Sequence, residues 1–290
     1  METPDPRSTA DFPRTPDPGP RTPDSVKVVA HVSDIHFGRL STEYIVSAMI
    51  EDIEAHNPAL VVVSGDLTQR ARASQFRAAA EMIGRITAPV MVVPGNHDIP
   101  AWYSPWTRLF DPTGRYAHYI TAELEPTFEM EGLAVAGINT AHGMTIKGGR
   151  IREEHASFLR GFFHQAAPGA FKILVLHHHL VKMERLGIHD VVRSARSAID
   201  VIGEEEVDLV LCGHLHISSV QSFAVHGGRH HMVVASAGTA TSSRGRGKDR
   251  RENLYNIVRI SRGHFVVEER GMSWEGGKFE FVREHPFSRD

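Results

Sequence analysis

Cysteine is almost absent from this chain of 290 residues, and its one copy, Cys212, excludes a disulfide within the chain. Long apolar runs are also missing, since no segment approaches the roughly 18 consecutive apolar residues of a membrane span. The amino terminus, Met-Glu-Thr-Pro-Asp-Pro, lacks the basic start and the apolar stretch of a secretory signal. We therefore expect a cytoplasmic protein without a membrane span.

Positive charge is not in excess either. The formal net charge is −3, whereas a general nucleic-acid binder usually carries a strong basic excess, so no stable nucleic-acid binding is expected. The 41% hydrophobic and 23% charged content is ordinary for a globular protein, and the length suffices to bury a sizeable core. Histidine is the abundant residue, with 19 copies, so the positions of the histidines must decide their role.

Residues 1–25 differ in composition from the rest of the chain. They hold seven of the 16 prolines, and the triplet Thr-Pro-Asp recurs at Thr3, Thr15 and Thr22. Such a segment has little to bury and resists both helix and sheet, so we predict a disordered tail. No later break in composition calls for a second domain, and residues 26–290 are predicted to form one domain.

The hydrophobic pattern after the tail alternates between strands and helices. Strands are predicted over Lys27–Ser33, Leu60–Val63 and Val90–Val93, with a helix after Ser41 as its N-cap and another over Ser74–Arg85. This β-α-β-α-β order predicts a largely parallel sheet. Further strands are predicted over Leu133–Ile138, Phe171–Leu176 and Asp208–Leu211, and helices over Glu153–Gln165 and Arg193–Glu205. The last strands, His231–Ala235, Tyr255–Ile260 and Phe265–Glu269, have short connections typical of antiparallel pairing.

Five of these strands end in clusters of polar residues. The clusters are Ser33-Asp-Ile-His36, Ser64-Gly-Asp66, Pro94-Gly-Asn-His-Asp98, His177-His-His179 and Cys212-Gly-His-Leu-His216. Because loops converge at the carboxyl ends of parallel strands, we expect these side chains to lie together. Aspartate and neutral histidine are ligands for divalent transition metals, and seven such donors exceed the four of one tetrahedral ion. Two ions that share a carboxylate would use all seven.

In their order along the chain, these motifs resemble the signature of the calcineurin-like metallophosphoesterases. The resemblance is carried by Asp34-X-His36, Gly65-Asp66, Gly95-Asn-His-Asp98, His177 and Gly213-His-X-His216, and it runs from about Val29 to His216. It implies an α/β fold with four layers, in which two mixed β-sheets are flanked by helices (α/β/β/α). The later predicted strands would belong to the second sheet.

The resemblance also implies roles for individual residues. Asp34, His36 and His216 would hold one metal ion, and Asn96, His177 and His214 the other. Asp66 would bridge the two ions. His97 would contact the substrate phosphate and protonate the leaving oxygen, and Asp98 would orient His97. The cofactors would be two divalent transition-metal ions, either iron, manganese, zinc or cobalt, and a homodimer is a frequent assembly in such a family.

The expected reaction is hydrolysis of a small phosphodiester by a metal-bound hydroxide, since two cations neutralise the ester and lower the pKa of a bound water. Motif pattern and length are closest to bacterial cyclic nucleotide phosphodiesterases and glycerophosphodiesterases, so 3′,5′-cyclic AMP is the first substrate to consider. The alternatives are hydrolysis of the pyrophosphate in a nucleotide-linked lipid precursor and, with less support, a non-enzymatic metal-binding module.

Several residues near the motifs keep two interpretations. Of His178 and His179, one is expected to face into the packing and the other to line the cleft. Trp102, Tyr103 and Trp106 are expected to form a hydrophobic lid on the domain, with stacking on a base or sugar as the alternative. The basic run Arg244–Arg251 is expected to be a solvated loop, with a nucleic-acid contact as the alternative.

His31 is expected to pack in or beside its strand. Asn139 and His142 follow the Leu133–Ile138 strand and are expected to reach the cleft. The basic loop Lys147-Gly-Gly-Arg150 is expected either to contact a second phosphate or to form a simple turn.

Overall fold

The computed structural model describes residues 26–102, 104–143, 148–183, 189–245 and 252–289. The predicted tail, Tyr103, Lys147 and most of the basic run Arg244–Arg251 therefore lie outside the described residues, and the prediction of a single domain over 26–290 stays a prediction. In the part of the chain that is described, no helix has the length and apolar character needed to cross a membrane.

The chain forms twelve described strands and six described α-helices. The strands are β1 (Lys27–Val32), β2 (Leu60–Val63), β3 (Val90–Val92), β4 (Thr127–Met130), β5 (Leu133–Gly137), β6 (Phe171–Val175), β7 (Leu209–Cys212), β8 (Ser219–Val225), β9 (His230–Ser236), β10 (Leu254–Ser261), β11 (His264–Ser273) and β12 (Lys278–Ser288). The helices are α1 (Ile45–Ala55), α2 (Ala73–Gly84), α3 (Pro105–Phe110), α4 (Gly114–Tyr119), α5 (Glu153–Gln165) and α6 (Ala195–Glu204).

The strands form two mixed sheets of six. The first has the order β12-β11-β10-β1-β2-β3, and its β1, β2 and β3 run parallel, as the alternation of strands and helices predicted. The second has the order β4-β5-β6-β7-β9-β8, and its central strands β5, β6, β7 and β9 are parallel. Antiparallel pairing of β10 with β11 is confirmed, whereas β9 pairs parallel with β7 and antiparallel with β8.

Three hydrophobic clusters divide the molecule into four layers. One cluster packs α1, α2 and α4 on the outer face of the first sheet, with Ile53, Phe76 and Tyr116 fully buried. A second packs α5 and α6 on the outer face of the second sheet. The third lies between the sheets and is filled by alternate residues of their strands, among them Val62 and Ile173. The predicted α/β/β/α sandwich is confirmed.

The sequence-based prediction missed the strands β4, β8 and β12, and all three lie at edges of the sheets. An edge strand is covered less completely than a central one, so its sequence carries fewer apolar residues. The strand β12 is largely exposed and contains Pro286, which an edge strand tolerates because one side of it makes no ladder. The predicted N-cap Ser41 is wrong, since α1 begins at Ile45 with Tyr44 at the cap.

Candidate metal centre

The seven predicted ligand residues all follow strands and come together at one end of the two sheets. Asp34 and His36 follow β1, Asp66 follows β2 and Asn96 follows β3, while His177 follows β6 and His214 and His216 follow β7. Since β1, β2 and β3 are parallel to one another, as are β6 and β7, these loops leave each sheet on one side. The predicted convergence of the side chains is therefore present in the structure.

One group of four side chains offers donors from both sheets. Asp34, His36, Asp66 and His216 each present one ligand atom, and these atoms lie within 4.8 Å of one another. The Nε2 atom of His36 lies 3.4 Å from Nε2 of His216 and 3.5 Å from Oδ1 of Asp34. Nε2 of His216 lies 3.3 Å from the same Asp34 oxygen. All four residues are buried, so this group is the inner part of the centre.

A second group lies beside the first and is more open. Oδ1 of Asn96 lies 3.2 Å from Nε2 of His177 and 2.9 Å from Nδ1 of His214. Asn96 and His214 are partly exposed, whereas His177 is buried. The side of the centre that is open to solvent is therefore the side of Asn96 and His214.

Asp66 lies between the two groups. Its Oδ2 atom is 3.6 Å from Nε2 of His36, and its Oδ1 atom is 3.4 Å from Nε2 of His177. Each carboxylate oxygen thus faces a histidine of a different group. This geometry fits a carboxylate shared by two ions, which is the role that the resemblance implied.

The hydrogen bonds of Asp34 and Asp66 give evidence for cation binding that is independent of the motifs. Asp34 uses Oδ2 to accept hydrogen bonds from the Ser33 hydroxyl (2.8 Å) and the His214 backbone (2.9 Å). Asp66 uses Oδ1 to accept one from the His97 backbone at 2.8 Å. The other oxygens, Oδ1 of Asp34 and Oδ2 of Asp66, are buried without a hydrogen-bond donor. Because a buried charge without a partner is costly, two such oxygens facing imidazole nitrogens fit a bound cation.

Two of the histidines, His177 and His36, are oriented as metal-ligating histidines usually are. Nδ1 of His177 donates to the carbonyl oxygen of Ser64 at 2.8 Å, and Nδ1 of His36 donates to that of Thr68 at 3.3 Å. Each bond leaves Nε2 to face the carboxylates. Histidine ligands commonly donate their second ring nitrogen in this way, which sets the tautomer and the direction of the ring. The four clustered donors and the neighbouring group are thus compatible with two divalent ions.

Protonation of the site follows from burial and from the charge pairs. Burial raises the pKa of Asp34, but His216 and His36 outweigh it and hold that pKa below the usual range. Burial lowers the pKa values of His214 and His216 to about 3, so both rings are neutral lone-pair donors. Burial also lowers the pKa of His177, but the adjacent Asp66 outweighs it and raises the value to about 9. The charge of Asp66 is thus the main influence that opposes burial at His177.

The backbone of the ligand loops is tightly wound. Asp34, His36, Asp66, His214 and His216 all have φ between 52° and 74°, in the left-handed region that residues with a side chain rarely adopt. Such strain persists only where the surroundings fix it, and here backbone bonds do so, including His36 N to Asp66 O at 3.0 Å. The repeated left-handed turn lets consecutive donors in one loop face the same point.

Gly95 allows two of these loops to touch. A Cβ atom on Gly95 would lie 2.2 Å from Oδ1 of Asp66 and 2.3 Å from the Asp66 backbone nitrogen. A side chain at this position would therefore displace the carboxylate that lies between the two groups.

His97 lies next to the centre but faces it with its ring edge. Its ring centroid is 5.0 Å from that of His36, and its Nδ1 donates to the carbonyl oxygen of Gln69 at 2.9 Å. Nε2 is therefore the atom turned toward the cleft, where it accepts a hydrogen bond from Nη1 of Arg244 at 2.9 Å. Burial lowers the pKa of His97, and the charge of Arg244 lowers it further, although Asp66 opposes both.

The predicted role of Asp98 requires correction. Its carboxylate accepts backbone hydrogen bonds from Leu67 (3.2 Å), Thr68 (2.9 Å) and Gly95 (3.0 Å), and it holds the loops after β2 and β3 together. The ring of His97 is oriented by Gln69 instead. Burial raises the pKa of Asp98 to about 6, and the charge of Asp66 contributes to this shift. Asp98 thus supports the loops that carry the donors and does not hold the His97 ring directly.

The three consecutive histidines 177–179 have different surroundings, which the sequence alone did not assign. His179 is buried below the centre, with its ring nitrogens near Cys212 (3.6 Å) and Ser236 (3.4 Å). His178 is also buried, and one of its ring nitrogens lies within 4.8 Å of the donor nitrogens of His177 and His214. Its Nδ1 contacts the hydroxyl of Thr140 at 2.8 Å, whereas Nε2 has no hydrogen-bond partner. His178 is a polar neighbour of the second group that the motif alone did not identify.

The two described aromatic residues of the expected lid, Trp102 and Trp106, do not pack on the domain. Trp102 and Trp106 are 72% and 74% exposed, and α3 buries none of its residues. His31 is buried, as predicted, and its Nε2 lies 2.9 Å from the hydroxyl of Ser64. Asn139 caps its own loop by accepting from the backbone of Ala141.

The basic turn before Arg150 is held by contacts with neighbouring loops. His142 contacts the carbonyl oxygen of Arg150 at 3.0 Å, and the backbone of Arg150 forms an isolated parallel β-bridge with Arg193. Gly149 packs against His178, since a Cβ atom on Gly149 would lie 2.5 Å from Nδ1 of that ring. Arg244, the first residue of the basic run, is the functional candidate that the sequence did not reveal. Composition marks that run as basic, but it cannot tell which arginine turns back over His97.

Comparison with known proteins defines the class of this fold and site. A family model described as calcineurin-like phosphoesterase matches residues 27–218, and the chain belongs to this family. A probable cyclic nucleotide phosphodiesterase of Synechococcus is 24% identical over 209 residues, which are 67% of this chain and 74% of that protein. The glycerophosphodiester phosphodiesterase GpdQ of Enterobacter lignolyticus is 31% identical over 98 residues, but these are only 29% of this chain and 34% of that protein.

Among solved structures, a purple acid phosphatase from yellow lupin has the same fold, with a TM-score of 0.70 and 15% identity. The match covers 93% of this chain and 55% of the lupin chain. With the family model, these comparisons confirm the resemblance read from the motifs and identify the chain as a metal-dependent phosphoester hydrolase.

Proposed function

We propose that this protein hydrolyses a small phosphodiester at a centre of two divalent metal ions, with 3′,5′-cyclic AMP as the first substrate to test. The observation that carries the proposal is the pair of donor groups joined by Asp66, because two metal ions held by neighbouring groups could clamp one phosphate. The relatives whose names specify phosphodiesterases support a diester over a monoester.

The centre would be held by the seven side chains named above. Asp34, His36 and His216 would bind one ion, Asn96, His177 and His214 the other, and Asp66 both. When bound, the two ions would neutralise the charge of the ester and make a water nucleophilic near neutral pH. The orphaned oxygens of Asp34 and Asp66 are the atoms that a cation would satisfy.

Other residues of the cleft would bind the phosphate and protonate the leaving group. Since Nδ1 of His97 is engaged by Gln69, Nε2 is the atom that can hydrogen-bond to the phosphate or pass a proton to the leaving alkoxide. Asp98 would keep the loop of Asn96 and His97 in register through its backbone hydrogen bonds. The exposed faces of Asn96 and His214 leave room for the ester on this side.

A second candidate is hydrolysis of the pyrophosphate bond in a nucleotide-linked lipid precursor. One observation favours it: Trp102, Trp106 and Phe110 are exposed on the segment that follows β3, where an acyl chain could contact them. The same side chains can serve a nucleotide without a lipid, so the substrate must be distinguished by experiment.

Turnover on manganese-loaded protein tests the proposal. The substrates are bis-p-nitrophenyl phosphate, p-nitrophenyl phosphate, cyclic AMP and a nucleotide diphosphate ester, and the His214→Ala variant purified in parallel reports any contaminating activity. We expect both diesters to be hydrolysed faster than the monoester, with activity lost in the variant. Faster turnover of the monoester, or of the diphosphate ester alone, would overturn the proposed substrate class.

A further inference from the structure

A cavity of about 240 Å³ opens beside Asn96 and His97, next to the exposed side of the candidate metal centre. Its walls come from the loops after β2 and β3, from α3 and from Arg244, so it lies at the same end of the sheets as the donors. Pockets that hold a whole drug-sized ligand usually measure about 300–1,000 Å³. A cavity of this size therefore fits one portion of a substrate whose phosphate lies at the metal centre.

The described lining of this cavity is positively charged and aromatic. It includes Arg70, Arg108 and Arg244 together with Trp102, and none of its lining residues is acidic. Arginines favour anionic ligands, and the planar indole favours stacking with a flat ring. The lining thus matches a ligand that combines a phosphate with an aromatic heterocycle.

Arg244 lies between the cavity and the side of the metal centre where an ester would bind. Its Nη1 lies 2.9 Å from Nε2 of His97 and 3.4 Å from the side-chain oxygen of Gln69. Its charge also acts on His216 of the inner donor group. The guanidinium thus lies on the cleft side of His97 and lines the same cavity as Asn96 of the second donor group, where it can donate to an oxygen of an ester bound at the centre.

Trp102 forms the aromatic wall of the cavity, and its side chain is not part of the hydrophobic core. Its side chain is 72% exposed although the residues shortly before it, Asp98 and Ile99, are buried. Trp106 is 74% exposed but does not line the cavity, and it stacks on Phe110 instead at 5.9 Å. The chain therefore contains two equally exposed tryptophans, of which only one faces the cavity.

We propose that this cavity is a nucleoside subsite, in which the base stacks on Trp102 while Arg244 binds an oxygen of the phosphate. The inference rests on the proposed phosphodiesterase function and goes further by assigning the recognised group to a nucleoside. Arg244 is then a substrate-binding residue, and Trp102 determines specificity for esters with a base.

Equilibrium binding tests the subsite without turnover. Calorimetry on manganese-loaded protein compares 5′-AMP with ribose 5-phosphate, which carries the same phosphate without a base. We expect 5′-AMP to bind at least about five-fold tighter, which corresponds to the lower end of the stacking energy of one base at 1.4 kcal/mol per ten-fold. The Trp102→Ala variant should remove this difference, whereas Trp102→Phe should retain most of it and Trp106→Ala all of it.

The same titrations test Arg244. Arg244→Gln should weaken 5′-AMP and ribose 5-phosphate alike, by at least about ten-fold, because a charged hydrogen bond to the shared phosphate is lost. Arg244→Lys should restore part of the affinity, and Arg160→Gln, which changes a surface arginine paired with Glu204, should have no effect.

Equal binding of the two ligands by the unchanged protein, or a Trp102→Ala variant that still distinguishes them, overturns the nucleoside subsite. A loss of kcat on bis-p-nitrophenyl phosphate in Arg244→Gln, with ligand affinity unchanged, overturns the phosphate contact and assigns Arg244 to positioning His97. If the protein distinguishes the ligands but hydrolyses no diester, the proposed function fails and the subsite stands.

Discussion

Replacing Gly95 by alanine tests whether Asp66 joins the two donor groups. The new methyl carbon would lie 2.2 Å from Oδ1 of Asp66, and real Cβ contacts are essentially never shorter than 3.0 Å. Because the Asp66 backbone nitrogen would also lie only 2.3 Å away, the loop must move together with the carboxylate, and the carboxylate by about 0.8 Å, the difference between 3.0 and 2.2 Å. Metal–oxygen bonds near 2.1 Å tolerate deviations of only about 0.2 Å, so the shift is several times larger than a shared carboxylate can absorb.

The expected result is a protein that folds but binds metal poorly. Overpacking of a tight contact costs about 1–3 kcal/mol, which a domain of this size can survive. Metal affinity should fall by more than the 10- to 100-fold that is typical when a supporting contact is lost, since here a ligand itself moves. Elemental analysis and titration of metal-free protein with Mn²⁺ measure stoichiometry and affinity, and thermal unfolding of the metal-free form measures the cost of packing.

Gly84 supplies the control, because a Cβ atom there meets nothing within 4 Å. Gly84→Ala, at the end of α2, should leave metal binding unchanged. If Gly95→Ala binds two Mn²⁺ ions with unchanged affinity, then the position of Asp66 is not critical, and the assignment of this carboxylate as the shared ligand is refuted.

Other substitutions separate the remaining roles. Asp66→Asn should leave fewer than one tightly bound ion per chain, whereas His214→Ala should leave about one; equal stoichiometry by elemental analysis would contradict the bridging role. His97→Ala should lower kcat by about 10²- to 10⁴-fold on an ester with an alkoxide leaving group and much less on a p-nitrophenyl ester, and equal losses on both would exclude proton transfer. Glu269, whose carboxylate lies 2.8 Å from Arg283, has a pKa that burial raises but that hydrogen bonds to its partners hold below 4.5 overall. Because the pKa of Glu269 is lower in the folded state, its carboxylate stabilises the fold above pH 4.5, and this contribution disappears as the pH falls through the folded-state pKa. Glu269→Gln should therefore lower the free energy of unfolding in urea by about 1–3 kcal/mol at pH 7, and by less below pH 4.5.

The donor set was predictable because its residues follow buried strands directly. A strand such as Leu60–Val63 is recognisable from its continuous apolar run, and the position of Asp66 after it then follows from chain geometry. The central strands of both sheets were predicted for the same reason. Edge strands such as β8 alternate polar and apolar residues only weakly, so the local sequence does not distinguish them from loops.

Contacts between loops could not be predicted from the sequence. The carboxylate of Asp98 follows His97 in the chain, yet it binds the backbone of the loop after β2, because both loops wind tightly at that point. The direction of Arg244 depends on the path of the chain after β9, which no periodicity encodes. The exposure of Trp102 was not predicted either, since the sequence favoured a lid packed on the domain.

The position of β1 in its sheet has a consequence for biosynthesis. This strand pairs on one side with β2 and on the other with β10, which begins at Leu254, 222 positions after Val32. A growing polypeptide therefore exposes one edge of β1 until almost the whole chain has been translated, even though every proposed ligand has been made by residue 216. A nascent chain that stops at the end of the family match, residue 218, would contain all the ligands but none of the three strands β10, β11 and β12 that extend the first sheet beyond β1. Such an intermediate would offer the unpaired edge of β1 to other chains, which is a known route to aggregation.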